Sequence, residues 1–116
     1  MRTRVVRSFR FEAAHQLPWH PGACRRLHGH SYRLEVTAEG PVGPDGMVMD
    51  FAELDRLVVG EVVDRFDHRL LNDLIDNPTA ELVAAEAWKR IEAAGVRLVA
   101  LRLWETADSS VELVRD

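Results

Sequence analysis

The spacing of apolar residues changes twice along this chain, and the order of the changes limits the folds that it can adopt. Apolar side chains occupy alternate positions in 4–15 and again from about 28 to 39, which predicts two half-buried strands. Two prolines and one glycine in 16–27, and three glycines and two prolines in 40–46, predict an irregular segment and a turn.

Helical spacing replaces the alternation in the middle of the chain. Asp50 is the expected N-cap of a first helix over 51–66, and Glu53 is placed to complete a capping box. Thr79 is the expected N-cap of a second helix, which Gly95 is expected to end.

Alternation returns in 99–105 and in a short last strand, 111–114. The element order is therefore strand, strand, helix, helix, strand, strand, which predicts an α+β fold with an antiparallel sheet. With 116 residues, the chain has room for a single domain, 1–116.

Composition excludes several classes of protein. No apolar run approaches the roughly 18 residues of a membrane-spanning helix, and the chain starts without a signal-peptide pattern, so we expect a cytoplasmic protein. A net charge of −4 gives no basic field for nucleic acid. The single cysteine cannot form an internal disulfide, which fits a reducing compartment.

Three of the five histidines are predicted to converge. His28 and His30 are two apart on one strand, so their side chains share a face. If the first two strands pair antiparallel, His15 lies beside them. Three neutral imidazoles suit Zn²⁺ and leave a fourth coordination position open, as in catalytic zinc sites. The alternative is that these are surface or hydrogen-bonded strand residues. His20 is expected to be a loop residue.

Cys24 lies four residues before His28 and is followed by Arg25 and Arg26. Adjacent cations stabilise a thiolate, which could bind zinc, act as a nucleophile or act as a base. The alternative is an inert buried cysteine.

Two further features carry acidic groups. In Asp67-His68 a carboxylate stands beside an imidazole, a pair suited to proton transfer if a turn brings the side chains together. Glu105 ends an otherwise apolar strand face, so it is either exposed at the strand end or buried against a ligand that donates hydrogen bonds.

Six motifs, spread over nearly the whole chain, together resemble the 6-pyruvoyl-tetrahydropterin synthase superfamily. They lie at 11–15, 24–32, 46–51, 67–72, 77–81 and 104–106, and read FEAAH, CRRLHGHSY, GMVMDF, DHRLLN, NPTAE and WET. Three residues separate Cys24 from His28, as in the carboxy-tetrahydropterin branch of the superfamily. One departure is the last strand, which lacks the aromatic residue and glycine that often end it in the family.

The resemblance implies the tunnelling fold. Each subunit of that fold has a four-stranded antiparallel sheet with two helices on one face, in the order ββααββ. The sheets of several subunits close into a barrel, so we expect a homo-oligomer, a trimer or a hexamer, with active sites at the subunit interfaces.

The resemblance also implies a zinc-dependent carbon–carbon lyase of 7-deazapurine or queuosine biosynthesis. Its substrate is 7,8-dihydroneopterin triphosphate, and its products are 6-carboxy-tetrahydropterin, acetaldehyde and triphosphate. The alternatives are formation of 6-pyruvoyl-tetrahydropterin without carbon–carbon cleavage, and a non-catalytic subunit that binds zinc or pterin. The matching residues are His15, His28 and His30 for the metal, Cys24, Asp67 and His68 for catalysis, and Glu105 and Thr106 for the pterin.

Overall fold

Two long strands, β1 (Thr3–His15) and β2 (His28–Gly40), form the centre of the computed structural model, which describes all 116 residues. They pair antiparallel along their whole length, so that His15 lies opposite His28. Side chains alternate between buried and exposed along both strands. The predicted alternation is therefore confirmed, and one face of the pair belongs to the core.

The rest of the sheet differs from the expected four strands. Strand β4 (Leu98–Thr106) pairs antiparallel with β2, and β5 (Ser109–Val114) pairs antiparallel with β4. The structure adds β3 (Arg69–Leu70), which pairs parallel with Ala13 and Ala14 of β1. The sheet is therefore mixed and five-stranded, in the order β3-β1-β2-β4-β5. A strand of two residues shows no alternation, so the sequence pattern could not reveal β3.

The first helical stretch is not a regular α-helix. Helix α1 (Phe51–Val58) continues through a π-helical turn, Val59–Val63, into the short α2 (Asp64–Phe66). Its fully buried residues are spaced four apart: Leu54, Val58, Val62 and Phe66. With about 3.6 residues per α-helical turn, each step of four would rotate the side chain by about 40°. The wider π-turn counters this rotation and keeps all four residues in the core.

Asp50 caps α1 as predicted, because its carboxylate accepts a hydrogen bond from the N–H of Ala52 at 2.8 Å. The predicted capping box is not formed. The carboxylate of Glu53 instead binds the guanidinium of Arg56 at 2.6 and 3.1 Å. The Asp50 carboxylate bonds to the N–H of the second helical residue, and the Glu53 carboxylate is occupied by Arg56, so neither half of the box forms.

Both predicted ends of α3 (Ala80–Ala93) are confirmed. The Thr79 hydroxyl accepts a hydrogen bond from a backbone N–H of the first turn, at 3.2 Å. Gly95 follows the helix with φ of 100°, and its N–H donates to the carbonyl of Glu92 at 3.0 Å. This left-handed residue closes the helix in a Schellman arrangement.

Both helical stretches cover the same face of the sheet, as predicted. One cluster of 20 buried residues contains side chains from α1, α2, α3, β1, β2 and β4. The opposite sheet face bears mainly polar residues, and β3 covers only two residues of the outer edge of β1. The longest helix has 14 residues, and no helix combines the length and apolarity that crossing a membrane requires.

The two glycines at 60 and 95 provide a matched test of the helix end. A Cβ at either position would meet no atom within 4 Å, but only Gly95 has positive φ. Gly95→Ala should lower the free energy of unfolding by about 1–2 kcal/mol, because a left-handed conformation is strained for alanine. Gly60→Ala, in a helical segment, should raise it by about 0.5–1 kcal/mol. Urea denaturation measures both, and equal shifts in the same direction would contradict the assignment.

Candidate metal centre and active site

The register of β1 and β2 brings three histidines together at one end of the sheet. His15 pairs with His28 across the strands, and His30 follows on the same face of β2. The metal-ligating atoms of the three side chains all lie within 4.8 Å of one another. The predicted convergence is confirmed, and His15, with 1% of its surface exposed, is the most deeply buried of the three.

Backbone carbonyls fix the tautomers of two of these rings. His15 Nδ1 donates to the carbonyl of Pro78, and His28 Nδ1 donates to the carbonyl of Arg26, each at 2.7 Å. Because a carbonyl only accepts, each Nδ1 carries the proton, and each neutral ring presents an Nε2 lone pair.

The two Nε2 atoms that carry these lone pairs, on His15 and His28, lie only 3.0 Å apart. Two lone pairs repel each other at this distance unless a cation lies between them. In a tetrahedral zinc site with bonds of about 2.0–2.1 Å, ligand nitrogens are about 3.3 Å apart. The donor set and its spacing therefore fit a zinc ion.

His30 supplies the third nitrogen. Its Nε2 is buried and has no hydrogen-bond partner. Burial lowers the pKa of His30, the neighbouring His15 and His28 lower it further, and Glu105 opposes them. His30 therefore favours the neutral form, which is the form that binds a metal.

Glu105 lies at the end of β4, beside the cluster. Its carboxylate oxygens are 3.6 Å from Nε2 of His30 and 3.9 Å from Nε2 of His15, both too long for hydrogen bonds. The side chain is one-quarter exposed. The carboxylate is therefore positioned at the cluster but remains available to bind another group.

Thr106, the next residue, is not brought to the cluster in the same way. Its hydroxyl donates to the carboxylate of Asp108 at 3.0 Å, within the turn between β4 and β5. The residue is exposed. The geometry groups Glu105, but not the hydroxyl of Thr106, with the histidines.

Asp67 and His68 form a hydrogen-bonded pair directly after α2. His68 Nδ1 donates to Asp67 Oδ2 at 2.8 Å. His68 has φ of 58°, a left-handed conformation that costs a non-glycine residue roughly 1–2 kcal/mol. The turn that this pair needs in order to bring its side chains together is therefore present, and its strain is typical of a functional position.

The backbone of Glu12 in β1 holds this pair. The Glu12 N–H donates to Asp67 Oδ1 at 2.8 Å, and the His68 N–H donates to the Glu12 carbonyl at 2.5 Å. The bond from Glu12 lowers the pKa of Asp67, and the bond from His68 lowers it further. Asp67 therefore stays ionised and keeps a proton on Nδ1 of His68, which leaves Nε2 of that ring to exchange protons.

An open cavity of about 480 Å³ lies beside the ends of β1 and β2 and next to β3. Its lining includes His30, Ser31, His68 and Arg69. The His68 side chain is 79% exposed. One member of the Asp67–His68 pair and one of the clustered histidines therefore border the same cavity.

Cys24 lies in a single 3₁₀ turn, Ala23–Arg25, and is half-buried. Its carbonyl accepts a hydrogen bond from the N–H of Leu17 at 2.9 Å, which ties the turn to the segment after β1. Its sulfur is not among the clustered ligand atoms. His20 is a loop residue as predicted, with Nδ1 accepting from the N–H of Gly22 at 2.9 Å.

The sequence interpretation missed the groups that orient the ligands. Two are the backbone carbonyls that bind His15 and His28, and a carbonyl leaves no signal in side-chain patterns. The third is Asn72, whose side chain accepts from the N–H of Gln16 at 3.0 Å and donates to its carbonyl at 2.8 Å. Asn72 is the last residue of the motif at 67–72, and its place in that motif was the signal that could have identified it.

Comparisons with known proteins agree with this geometry. The family model for 6-pyruvoyl tetrahydropterin synthase matches residues 4–116. A 6-carboxy-5,6,7,8-tetrahydropterin synthase of Synechocystis sp. is 42% identical over 114 residues, which cover 91% of this chain and 88% of that protein. A dihydroneopterin monophosphate aldolase of Pyrococcus furiosus is 40% identical, over 97% of this chain and 98% of that protein.

The fold agrees as well. The solved structure of Caenorhabditis elegans 6-pyruvoyl tetrahydropterin synthase superposes with a TM-score of 0.88 at 26% identity, over 100% of this chain and 97% of that one. The chain therefore belongs to the 6-pyruvoyl tetrahydropterin synthase family.

Proposed function

We propose that this chain is a zinc-dependent 6-carboxy-5,6,7,8-tetrahydropterin synthase. It would convert 7,8-dihydroneopterin triphosphate and one water into 6-carboxy-tetrahydropterin, acetaldehyde and triphosphate. The observation that carries the proposal is the cluster of three histidines with the carboxylate of Glu105 beside it. The similarity to the Synechocystis enzyme supports this product.

The three histidines would bind the metal through their Nε2 atoms. His15 and His28 present Nε2 because their Nδ1 atoms donate to carbonyls. Nε2 of His30 has no other partner. When bound, zinc polarises oxygen atoms of the substrate side chain and lowers the pKa of their hydroxyl groups.

Glu105 would anchor the pterin ring. The ring presents an N–H and an amino group side by side, a donor pair that matches the two oxygens of one carboxylate. In this structure neither oxygen makes a hydrogen bond to the cluster. A ligand that supplies both donors would therefore satisfy the charge.

Asp67 and His68 would move protons. The bond between the two side chains keeps Nδ1 of His68 protonated, so Nε2 can take a proton from the substrate and return it. Cys24 would act as the second base and remove a proton from the substrate side chain.

The unpaired edges of the sheet favour association of subunits. The outer edge of β5 is unpaired, and β3 protects only two residues of the outer edge of β1. An apolar groove of about 250 Å³ lies beside β5, lined by Ala85, Trp88, Leu113 and Val114. Unprotected edges favour pairing with another chain, so we propose that copies join edge to edge as a homo-oligomer with interfacial active sites.

A second candidate reaction is aldol cleavage of dihydroneopterin monophosphate, supported by the similarity to the Pyrococcus furiosus aldolase over nearly the full length of both chains. A base would deprotonate the second hydroxyl of the side chain. The bond between its first and second carbons would break, and the electron pair would move into the C=N bond of the ring. Return of the proton from the base to the first carbon would then restore the C=N bond. The products would be 6-hydroxymethyl-dihydropterin and glycolaldehyde phosphate.

Incubation of the zinc-loaded protein with each substrate separates these reactions. Dihydroneopterin triphosphate should yield a 6-carboxylated pterin by mass analysis and an equal amount of acetaldehyde by enzymatic assay. A pyruvoyl product without an aldehyde would contradict the proposal. So would cleavage of the monophosphate alone to glycolaldehyde phosphate, or binding of the pterin without any turnover.

Replacement of Cys24 tests its role as a base. Cys24→Ala should lower kcat by at least about 10²-fold, since one positioned base contributes roughly 10²–10⁴-fold. The zinc content after gel filtration should equal that of the wild type. His20→Ala is the control, because His20 bonds only within its own loop, and it should retain activity. Loss of zinc in Cys24→Ala would make Cys24 a ligand and overturn the assignment.

The pH dependence of stability tests the environment of Asp67. Because its pKa is lowered in the folded protein, its stabilising effect is complete above the unfolded pKa of about 3.9 and is lost as pH falls through the lower folded value. The difference in unfolding free energy between wild type and Asp67→Asn should therefore shrink on acidification below pH 4. Asp64→Asn, at an exposed site in α2, is the control. A difference that is constant from pH 7 to pH 2 would contradict this assignment.

A further inference from the structure

Tyr32 has a buried hydroxyl for which the protein provides no partner. The residue is 1% exposed, and its hydroxyl oxygen makes no hydrogen bond. A buried hydroxyl without a partner costs about 1–3 kcal/mol. The ring needs only its apolar face for packing, because it stacks on Phe11 at 4.9 Å between centroids with planes 13° apart. Phenylalanine would serve the core equally well.

Tyr32 lies next to the histidine cluster. Tyr32 follows His30 by two residues on β2, so both side chains lie on the same face of the sheet. Its ring centroid is 5.6 Å from the ring of His30 and 6.3 Å from the ring of His15, with planes nearly perpendicular. Tyr32 therefore forms part of the wall between the histidines and the core.

The hydroxyl can act only as a protonated group near neutral pH. A tyrosine hydroxyl ordinarily ionises only at about pH 10. The phenol therefore keeps its proton and is a hydrogen-bond donor that lacks an acceptor. Nε2 of His30 is the other buried atom here without a hydrogen-bond partner, and a bound metal would supply its partner. It does not account for the phenol, because zinc sites use thiolates, imidazoles and carboxylates.

We propose that the Tyr32 hydroxyl donates a hydrogen bond to an oxygen of the polyhydroxylated side chain of the bound pterin. The inference rests on the proposed function, in which Glu105 anchors the pterin ring. In that function the pterin ring is bound by Glu105 and the side chain reaches the histidines. The bound ligand would therefore lie alongside Tyr32. The hydroxyl oxygens of that side chain supply an acceptor for the phenol, which has none in the free protein.

A comparison of two ligands isolates this bond. Neopterin carries the trihydroxypropyl side chain and pterin does not, so both are titrated into the zinc-loaded protein by calorimetry. Tyr32→Phe should weaken neopterin binding by about 3- to 10-fold, the value of one hydrogen bond, and leave pterin binding unchanged. Thr37→Val, which removes a hydroxyl farther along β2 on its other face, is the matched control and should change neither affinity.

Thermal unfolding of the ligand-free variants provides a second measurement. Tyr32→Phe should unfold at the same temperature as wild type or higher, because it removes an unsatisfied hydroxyl. A lower unfolding temperature would show that the hydroxyl has a partner inside the free protein, and would overturn the proposal. Equal neopterin affinity in wild type and Tyr32→Phe, or an equal loss for both ligands, would also overturn it.

If the proposed function is wrong, the titrations give a different result from the one expected when only the role of Tyr32 is wrong. A wild-type protein that binds neither neopterin nor pterin would refute the pterin site together with the role of Tyr32. Binding of both ligands with no effect of Tyr32→Phe would refute the role of Tyr32 alone.

Discussion

The antiparallel pairing of β1 with β2 is the constraint on which the rest of the structure depends. It places His15 opposite His28 and leaves their Nε2 atoms 3.0 Å apart. A slip of one residue would move the β2 histidines to the other face of the sheet. The stacking of Phe11 on Tyr32 in the adjacent core opposes such a slip. The packing that stabilises the sheet therefore also assembles the metal-ligating cluster.

The acid–base pair is built differently from the cluster. The histidines belong to two long strands, and one of them is almost completely buried. Asp67 and His68 instead follow a helical stretch with a π-turn and are held by hydrogen bonds to the backbone of Glu12. The clustered histidines thus lie on the two central strands of the sheet, whereas the imidazole of His68 is exposed beside the cavity.

Side-chain spacing was enough to predict the main features. His28 and His30 are two apart on a strand, and antiparallel pairing adds His15, so the cluster could be predicted from the sequence. Groups that leave no such pattern could not be. The short strand β3 has two residues, and the carbonyls that orient His15 and His28 are backbone atoms. The capping box failed for another reason, because Arg56 competes for the carboxylate of Glu53.

The coordination of zinc is the most direct test of the account. X-ray absorption of the protein loaded with one zinc ion per chain reports the ligands and their distances. Three imidazole nitrogens at about 2.0–2.1 Å and no sulfur are predicted. A sulfur atom at about 2.3 Å, or fewer than three imidazoles in the first shell, would contradict the assignment of the cluster as an open, three-histidine metal site.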